Sequence, residues 1–243
     1  MDREKNKFCR LLVALCTVCY FISYITRINY GAVLIEMERA EGISKAAASM
    51  ALTGSFITYG AGQLVSGWLG DRMKPRQLIF AGILVSATMN VLVPVSAKPG
   101  LMLVFWCING FAQALMWPPM VKILAAYLDD EQYKKGCVRV TWGSSAGTIF
   151  VYLAAPFCIM WKGWRSVFFL CAGAAFCFAF LWIRGIAMIE TRLEAQMGKQ
   201  ERGAHGGRSR MQRKEQRSLF SGNLRLLMPV IMFAIVMQGR LRD

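Results

Sequence analysis

Long apolar runs separated by short polar stretches dominate this chain. A helix needs about 20 mainly apolar residues to cross the hydrocarbon core of a bilayer. Six runs reach that length, and a seventh begins near Leu224. The six predicted spans lie near Leu11–Leu34, Ala46–Leu69, Gln77–Val95, Leu101–Leu128, Val138–Met160 and Ser166–Met188. The pattern therefore predicts an all-α protein that crosses a membrane several times.

These runs divide the chain into three predicted parts. Residues 1–188 are predicted to form a six-helix transmembrane bundle, residues 189–223 a cytoplasmic linker, and residues 224–243 the start of a seventh membrane helix. The linker is rich in Gly, Ser, Gln and basic residues, a composition typical of a mobile connection. The sequence stops within the seventh run at Arg242 and Asp243, which predicts a truncated reading frame.

Composition agrees with a membrane protein and excludes several kinds of chemistry. The chain is 56% hydrophobic and 18% charged, whereas a soluble domain is about 45–50% apolar and 25% charged. His205 is the one histidine in the sequence, so imidazole-based metal or acid–base chemistry is not expected. With no His cluster, paired intramembrane carboxylates or Ser/His arrangement, the sequence predicts no metal, no cofactor and no enzyme.

The distribution of charge gives an orientation. The chain carries 29 Lys and Arg against 14 Asp and Glu, a net charge of +15. The basic residues lie in short clusters between apolar runs, not along one face with aromatic side chains, which excludes nucleic acid as a partner. Lys and Arg are richest before the first span, in the second and fourth connections, and in the linker. The positive-inside rule therefore predicts a cell-membrane protein whose N-terminus and linker are cytoplasmic.

Arg27 is the strongest candidate for a functional side chain. It lies about three-quarters of the way along the first apolar run, on a polar and aromatic stripe. The other members of this stripe are Tyr20, Ser23, Tyr24, Tyr30 and Gly31. An arginine inside a span usually faces a protein interior or a water-filled cavity. The alternative is an arginine that extends to the headgroups beside a tyrosine belt.

Polar side chains in other spans give weaker predictions. Gln63 in the second span, and Asn109 and Gln113 in the fourth, can line a pore or can join helices by hydrogen bonds, and the sequence leaves both open. Lys122 lies near the predicted cytoplasmic end of the fourth span, so its expected role is to extend to the headgroups.

The connection between the second and third spans carries a recognisable motif. It runs from Gly67 through Asp71 and Arg72 to Arg76, and its pattern G-x-L-x-D-R-x-x-x-R resembles the cytoplasmic signature of the major facilitator superfamily. The resemblance implies that these charged residues latch the half-bundle and gate its motion. Without it, the stretch would be interpreted as a solvated turn.

The fourth span carries a more specific pattern, W-x-x-N-G-x-x-Q-x-x-x-W-P-P. Its members are Trp106, Asn109, Gly110, Gln113, Trp117, Pro118 and Pro119. This spacing is similar to the fourth helix of the organophosphate:phosphate antiporters, the branch of the superfamily that holds glycerol-3-phosphate and hexose-phosphate transporters. The resemblance covers the whole chain and implies the N-terminal half of a major-facilitator fold.

The resemblance also implies a function and a site. Arg27 matches the family's substrate-binding arginine of the first helix, and Arg242 matches its partner on the seventh. Tyr24, Tyr30, Gln63, Asn109 and Gln113 complete the substrate site predicted from the spans. The implied activity is exchange of a sugar phosphate or glycerol phosphate for inorganic phosphate by alternating access. A second six-helix half, in the same or a separate chain, is expected to be required.

Two departures from the family pattern keep other functions open. Gln63 stands where better-known members have a lysine, and Ala146 where they have a histidine. A symporter for carboxylates is therefore an alternative, and it resembles this chain in the pattern Arg27-Ile28-Asn29. A membrane sensor that binds its ligand without transporting it is another alternative. A proton-coupled drug exporter is less well supported, since the fourth helix lacks the arginine typical of that branch.

Overall fold

The computed structural model describes residues 2–96 and 98–203, and these ranges hold eight α-helices. The helices are α1 Asp2–Ala32, α2 Leu34–Glu41, α3 Lys45–Arg72, α4 Pro75–Val95, α5 Pro99–Ala114, α6 Trp117–Tyr127, α7 Asp130–Lys162 and α8 Arg165–Gly203. Several begin with recognised start signals. The side chains of Ser44 and Asp129 cap α3 and α7, and proline occupies the first turn of α4 and α5.

Five segments of the described residues are long and apolar enough to cross a membrane. They are Asn6–Ala32, Pro75–Val95, Pro99–Tyr127, Asp130–Lys162 and Arg165–Ala195. Each coincides with one of the predicted spans. The remaining predicted span, residues 46–69, forms α3, whose 28 residues give it the length to cross. Its many Ala, Gly, Ser and Thr residues lower its mean hydropathy, so α3 is less apolar than the five segments named above.

The fourth predicted span is broken into two helices. Helix α5 ends at Ala114, and α6 begins at Trp117 with Pro118 and Pro119 in its first turn. Proline has no N–H and its ring clashes with the preceding turn, so a continuous helix through this point would lose backbone hydrogen bonds. Leu115 therefore closes α5 with a turn, in which its N–H donates to the carbonyl of Ala112 at 3.1 Å and the N–H of Met116 donates to that of Gln113 at 3.3 Å.

The connection after the first predicted span is also helical. Val33 interrupts the helix, and α2 continues to Glu41 before Gly42 ends it with a positive φ of 65°. Glu41 Oε1 accepts a hydrogen bond of 2.6 Å from Arg165 Nη2, and Arg165 Nε donates to the carbonyl of Pro94 at 3.0 Å. This arginine therefore ties α2, α4 and α8 together at one end of the bundle.

Helix α8 extends beyond the sixth predicted span. It continues to Gly203, so the first part of the predicted linker, residues 189–203, is helical. Residues 1–194 form one compact unit and residues 195–243 are assigned to another. The rest of the predicted linker, the seventh helix and Arg242 lie outside the described residues.

Within the first unit, glycines bring helices into backbone contact. A Cβ atom at Gly110 of α5 would overlap the carbonyl oxygen of Ser55 on α3, and a Cβ at Gly143 of α7 would overlap that of Thr17 on α1. Thr58 Oγ1 adds a hydrogen bond of 2.7 Å from α3 to the carbonyl of Cys107 on α5. Close approach at small residues is a main source of helix association in membranes. The bundle is therefore built around two tight pairs, α1 with α7 and α3 with α5.

Candidate functional site

Aromatic rings surround the Arg27 guanidinium. Its Cζ atom lies 4.2 Å from the ring centre of Tyr59, 5.7 Å from that of Phe56 and 6.0 Å from that of Tyr24. The quadrupole of an aromatic face attracts a cation at these distances, most strongly where water is excluded. Two rings come from α3 and one from α1, so the guanidinium is held between two helices. We call these four residues the arginine cage.

The arginine cage lies near the middle of the bundle along the helix axis. Tyr59 follows Lys45, the first residue of α3, by 14 positions and precedes Arg72, the last, by 13. At 1.5 Å per residue, each end of α3 is about 20 Å away. Contact with Tyr59 therefore places the guanidinium at mid-depth. This geometry favours an arginine that faces the interior over one that extends to the headgroups.

No described side chain neutralises Arg27. None of the ion pairs and hydrogen bonds formed among described residues uses its guanidinium, which is half-buried. Burial of a cation without a counter-ion costs free energy that ring contacts offset only in part. Arginine also presents planar N–H donors that bind a carboxylate or phosphate with two hydrogen bonds at once. The arginine cage thus has the chemistry to bind an anion.

The aromatic surface continues from the arginine cage toward α6. The ring of Tyr20 contacts that of Tyr24 edge-on, with centroids 5.1 Å apart, and lies 4.9 Å from that of Trp117. Trp117 is the tryptophan just before the two prolines of the fourth-span motif. The break between α5 and α6 therefore brings this motif residue onto the aromatic stripe of α1.

Asn109 and Gln113 lie elsewhere, in a buried polar network between α1, α4 and α5. Gln113 Oε1 accepts a hydrogen bond from Ser23, and its Nε2 donates to Thr26 Oγ1 at 3.0 Å and to Ser86 Oγ at 2.9 Å. Asn109 Oδ1 accepts from Ser86 at 2.6 Å, and its Nδ2 donates to the carbonyl of Thr26 at 3.1 Å. These side chains are 1% and 2% exposed. Between the two roles left open by the sequence, the geometry favours the joining of helices.

The same network includes two further asparagines. Asn29 Nδ2 donates to Asn90 Oδ1 at 2.6 Å, and Asn90 Nδ2 donates to the carbonyls of Thr26 and Ser86 at 3.0 and 2.9 Å. Both asparagines are fully buried. Every amide in the network thus has a partner, as burial requires, and the network fixes α1 against α4 and α5.

Tyr30 is packed away from the arginine cage. Its side chain is 1% exposed, and its ring lies 4.8 Å from that of Trp106. Its hydroxyl donates to the carbonyl of Ala48 at 3.2 Å. The structure therefore gives Tyr30 a packing role that joins α1, α3 and α5, where the sequence predicted contact with substrate.

Gln63 lies four residues after Tyr59, on the same face of α3. Its side chain is half-buried, and Nε2 is 3.5 Å from the carbonyl of Ala114 at the end of α5. A bond of this length is weak. Gln63, which the sequence predicted to contact substrate, therefore lies one turn from Tyr59 of the arginine cage, and its side chain is only weakly held.

The residues of the predicted gating motif meet at the end of the bundle that holds the N-terminus. Asp71 pairs with Lys122 of α6 at 2.5 Å, and the same Lys122 Nζ donates to the carbonyl of Gly70 at 2.9 Å. Arg72 Cζ lies 3.6 Å from the ring centre of Trp68. Gly67 is exposed, with open space around its Cα. Lys122, expected to extend to the headgroups, instead joins α6 to the motif.

Arg76 makes the other interhelical contact of the motif. Its Nη1 lies 2.8 Å from Glu190 Oε2 on α8, and its carbonyl accepts a hydrogen bond of 3.1 Å from Trp182 Nε1. Tyr127 at the end of α6 donates to Glu194 at 3.1 Å, one turn further along α8. The motif therefore links α3 to α6 and α4 to α8.

Sequence reasoning missed four residues that define these sites. Phe56 and Tyr59 complete the arginine cage, and Ser86 and Asn90 complete the buried network. A signal was present for both pairs, because each lies on one face of its helix at a spacing of three or four residues. Periodicity alone does not tell which face of α3 meets α1.

Taken together, the five described segments that are long and apolar enough to cross a membrane and the charged links at one end of the bundle define the class of multi-pass membrane proteins. The family model described as Major Facilitator Superfamily matches residues 16–239. The chain therefore belongs to the major facilitator superfamily.

Two relatives are named as transport proteins for phosphate esters. A probable hexose phosphate transport protein of Chlamydia muridarum is 26% identical over 153 residues, which cover 62% of this chain and 33% of the relative. The glycerol-3-phosphate transporter of Bacillus subtilis is 30% identical over 165 residues, covering 65% of this chain and 36% of the relative. The chain thus spans about a third of the length of these relatives.

A solved structure supports the fold. The peptide transporter POT in complex with sulfate aligns with a TM-score of 0.64 and 14% identity, over 93% of this chain and 46% of that chain. At this identity the likeness shows the fold alone. The sequence prediction of an N-terminal major-facilitator half is confirmed at the level of fold.

Proposed function

We propose that this chain forms the first bundle of a transporter for small phosphate-bearing anions, which exchanges a sugar phosphate or glycerol phosphate for inorganic phosphate. The observation that carries the proposal is the arginine cage, in which a mid-depth guanidinium has no described counter-ion. Organic phosphates and inorganic phosphate share the group that a guanidinium binds bidentately, so one site can accept either. The names of the relatives from Chlamydia muridarum and Bacillus subtilis support this substrate class.

In this proposal Arg27 binds the anion directly, and Tyr24 and Gln63 lie beside it. Tyr30, Asn109 and Gln113 hold α1 in place, so that the guanidinium keeps its position between α1 and α3. Arg242 is proposed as the second cation, supplied by the seventh helix. A second six-helix half completes the site, and rocking of the halves about the bound anion gives alternating access.

The motif between α3 and α4 is proposed to gate this motion. Asp71 links α3 to α6 and Arg76 links α4 to α8 at one end of the bundle, and Arg72 packs on Trp68 of its own helix. Opening of that end would have to break or rearrange these links. The predicted cytoplasmic location of this end, in a cell membrane, follows from the positive-inside rule and is part of the proposal.

The test uses proteoliposomes that contain the chain together with its second six-helix half; they are loaded with inorganic phosphate, and the uptake of labelled glycerol 3-phosphate is measured. Arg27→Lys keeps the charge but loses the planar fork, so we expect the exchange rate to fall at least about tenfold. Arg184→Lys is the matched control, because Arg184 is an exposed arginine of α8 that also packs on a ring, Phe180, at 4.3 Å. Unchanged exchange in Arg27→Lys would remove Arg27 from the site.

The same assay separates the alternatives. Exchange that accepts dicarboxylates and ignores phosphate would indicate a carboxylate transporter, which the absence of the family's lysine at Gln63 favours. Binding of glycerol 3-phosphate to the protein without counterflow would indicate a sensor. Either result would overturn the proposed exchange activity.

A further inference from the structure

A second basic site lies between α1 and α7, at the end of the bundle that holds the N-terminus. It is a cavity of about 270 Å³ whose polar lining comes from Asn6, Arg10, Gln132, Lys135 and Arg139. Pockets that enclose drug-sized ligands are roughly 300–1,000 Å³. This cavity therefore suits a smaller group, of about the size of a phosphate with a short substituent.

The charges that line the cavity are all positive. Lys135 pairs with Glu131, one turn earlier on α7, at 2.6 Å. Among the side chains that the structure describes, no carboxylate lies within 4.0 Å of Arg10 or Arg139. Even with Glu131 counted, the cavity presents two exposed guanidinium groups, from two different helices, that have no described carboxylate within 4.0 Å.

Neutral donors accompany these charges. Gln132 Nε2 donates to Asn6 Oδ1 at 2.9 Å, which occupies the oxygen of Asn6 and leaves its NH₂ group as a donor. The nearby carboxylate of Asp129 accepts from the backbone N–H of Gln132 at 2.8 Å as the cap of α7. The lining is thus rich in donors, the complement of a phosphate group with its several acceptor oxygens.

The depth of the cavity matches the headgroup layer. Helix α7 has 33 residues and is about 50 Å long, whereas about 20 residues suffice to cross the hydrocarbon core. The α7 residues that line the cavity lie in the first third of that helix, ahead of its apolar run. On α1, Arg10 precedes Arg27 by 17 residues, about 25 Å along the helix. The cavity is therefore separate from the arginine cage.

We propose that this cavity is a binding site for the phosphate group of an anionic ligand, held by Arg10 and Arg139 with Asn6 and Lys135 as further donors. The phosphate can belong to an anionic phospholipid of the surrounding leaflet or to a soluble phosphate ester. The proposal does not depend on the substrate of the arginine cage.

The lipid source is tested by titrating the purified 243-residue chain in detergent with phosphatidylglycerol and with phosphatidylcholine, and counting bound lipids by native mass spectrometry. We expect tighter binding of phosphatidylglycerol. Arg10→Gln and Arg139→Gln, on different helices, should each weaken that binding about tenfold, the usual worth of a charge-assisted hydrogen bond. Lys134→Gln is the matched control, because Lys134 is an exposed cation of the same turn of α7 that does not line the cavity.

The soluble source is tested by adding inorganic phosphate and glycerol 3-phosphate to the same samples. If either anion displaces phosphatidylglycerol, and this displacement is lost in Arg139→Gln, the site is open to soluble phosphates. If the lipid is retained, the site binds a lipid headgroup. Both results support the proposal. Equal losses in Arg139→Gln and Lys134→Gln, or no binding of any of these phosphates beyond that of phosphatidylcholine, would overturn it. Arg27→Lys should leave the binding of phosphatidylglycerol at this cavity unchanged, because Arg27 does not line it, which separates this site from the proposed transport function.

Discussion

The Arg27 guanidinium of α1 lies 4.2 Å from the ring centre of Tyr59, at the midpoint of α3. This contact places the guanidinium at mid-depth in the bundle and also provides its aromatic partner. A side chain from near the far end of α1 is thereby directed back toward the centre of the bundle. Arg27 and Tyr59 together therefore define the level at which we propose that an anion binds.

We expect Tyr59→Ala to weaken anion binding by several fold. Removal of the ring takes away a cation–π contact worth about 0.5–2 kcal/mol and lets the guanidinium move from its position. Tyr59→Phe keeps the ring and should bind almost as the parent protein does. Calorimetric titration of the chain in lipid nanodiscs with glycerol 3-phosphate measures both. Equal losses in the two variants would show that the hydroxyl, and not the ring face, matters.

Asn90→Ala should destabilise the bundle. Asn29 Nδ2 would lose its acceptor, and the carbonyls of Thr26 and Ser86 would each lose a donor, in a fully buried setting. A buried polar group left without a partner costs about 1–3 kcal/mol. Thermal unfolding in detergent measures the loss. Thr88→Ala on the same helix is the control, since among the described residues Thr88 bonds only to the carbonyl of Leu84, one turn earlier. A similar loss there would contradict the role of the network.

Gly110→Ala should separate α3 from α5. The added methyl group would overlap the carbonyl of Ser55, and a backbone atom cannot move aside as a side chain can. We expect a loss of about 2–3 kcal/mol or more. Gly173→Ala on α8 meets open space and should instead stabilise by about 0.5–1 kcal/mol, because alanine favours the helix. Unfolding curves of both variants, recorded side by side, give the comparison.

The two ion pairs of the motif should differ in their effect on stability. Asp71 and Lys122 are 59% and 43% exposed, so Lys122→Gln should cost less than about 1 kcal/mol. Arg76 and Glu190 are 30% and 14% exposed, and Arg76→Gln would leave a mostly buried carboxylate without its partner. We expect the larger loss, about 1–3 kcal/mol, for Arg76→Gln. A larger loss of stability for Lys122→Gln than for Arg76→Gln in thermal unfolding would show that the ion pair between α3 and α6 contributes more.

Hydrophobic pattern alone predicted most of the helices, because about 20 apolar residues admit few structures in a membrane. It failed where local chemistry changed a helix without changing its hydrophobicity. Pro118 and Pro119 split the fourth span, although both lie in an apolar run that predicts one continuous helix. In α3 the hydrophobicity changed and the helix did not: its small residues pack against other helices and lower its mean hydropathy, yet it is continuous from Lys45 to Arg72.

The candidate site was predictable only in part. Arg27 is identifiable from sequence because a charge inside a span is costly and therefore conspicuous. Asn109 and Gln113 were equally conspicuous, yet the structure places them in a network whose other members, such as Ser86, look ordinary in the sequence. Whether a polar residue lines a cavity or joins two helices depends on the rotation of each helix about its axis. A period of 3.6 residues defines a face but not the neighbour that the face meets.

The buried polar network also has a consequence for how the protein is made. Asn29 bonds to a residue 61 positions later in the chain, and Ser23 to one 90 positions later. At a synthesis rate of about 5–20 residues per second, those partners leave the ribosome roughly 3–20 s after α1 does. During that interval α1 carries polar side chains for which lipid offers no hydrogen bonds. The hydrogen bonds of Ser23 and Asn29 therefore form only once α4 and α5 have been made, so these helices complete the bundle as a group rather than one at a time.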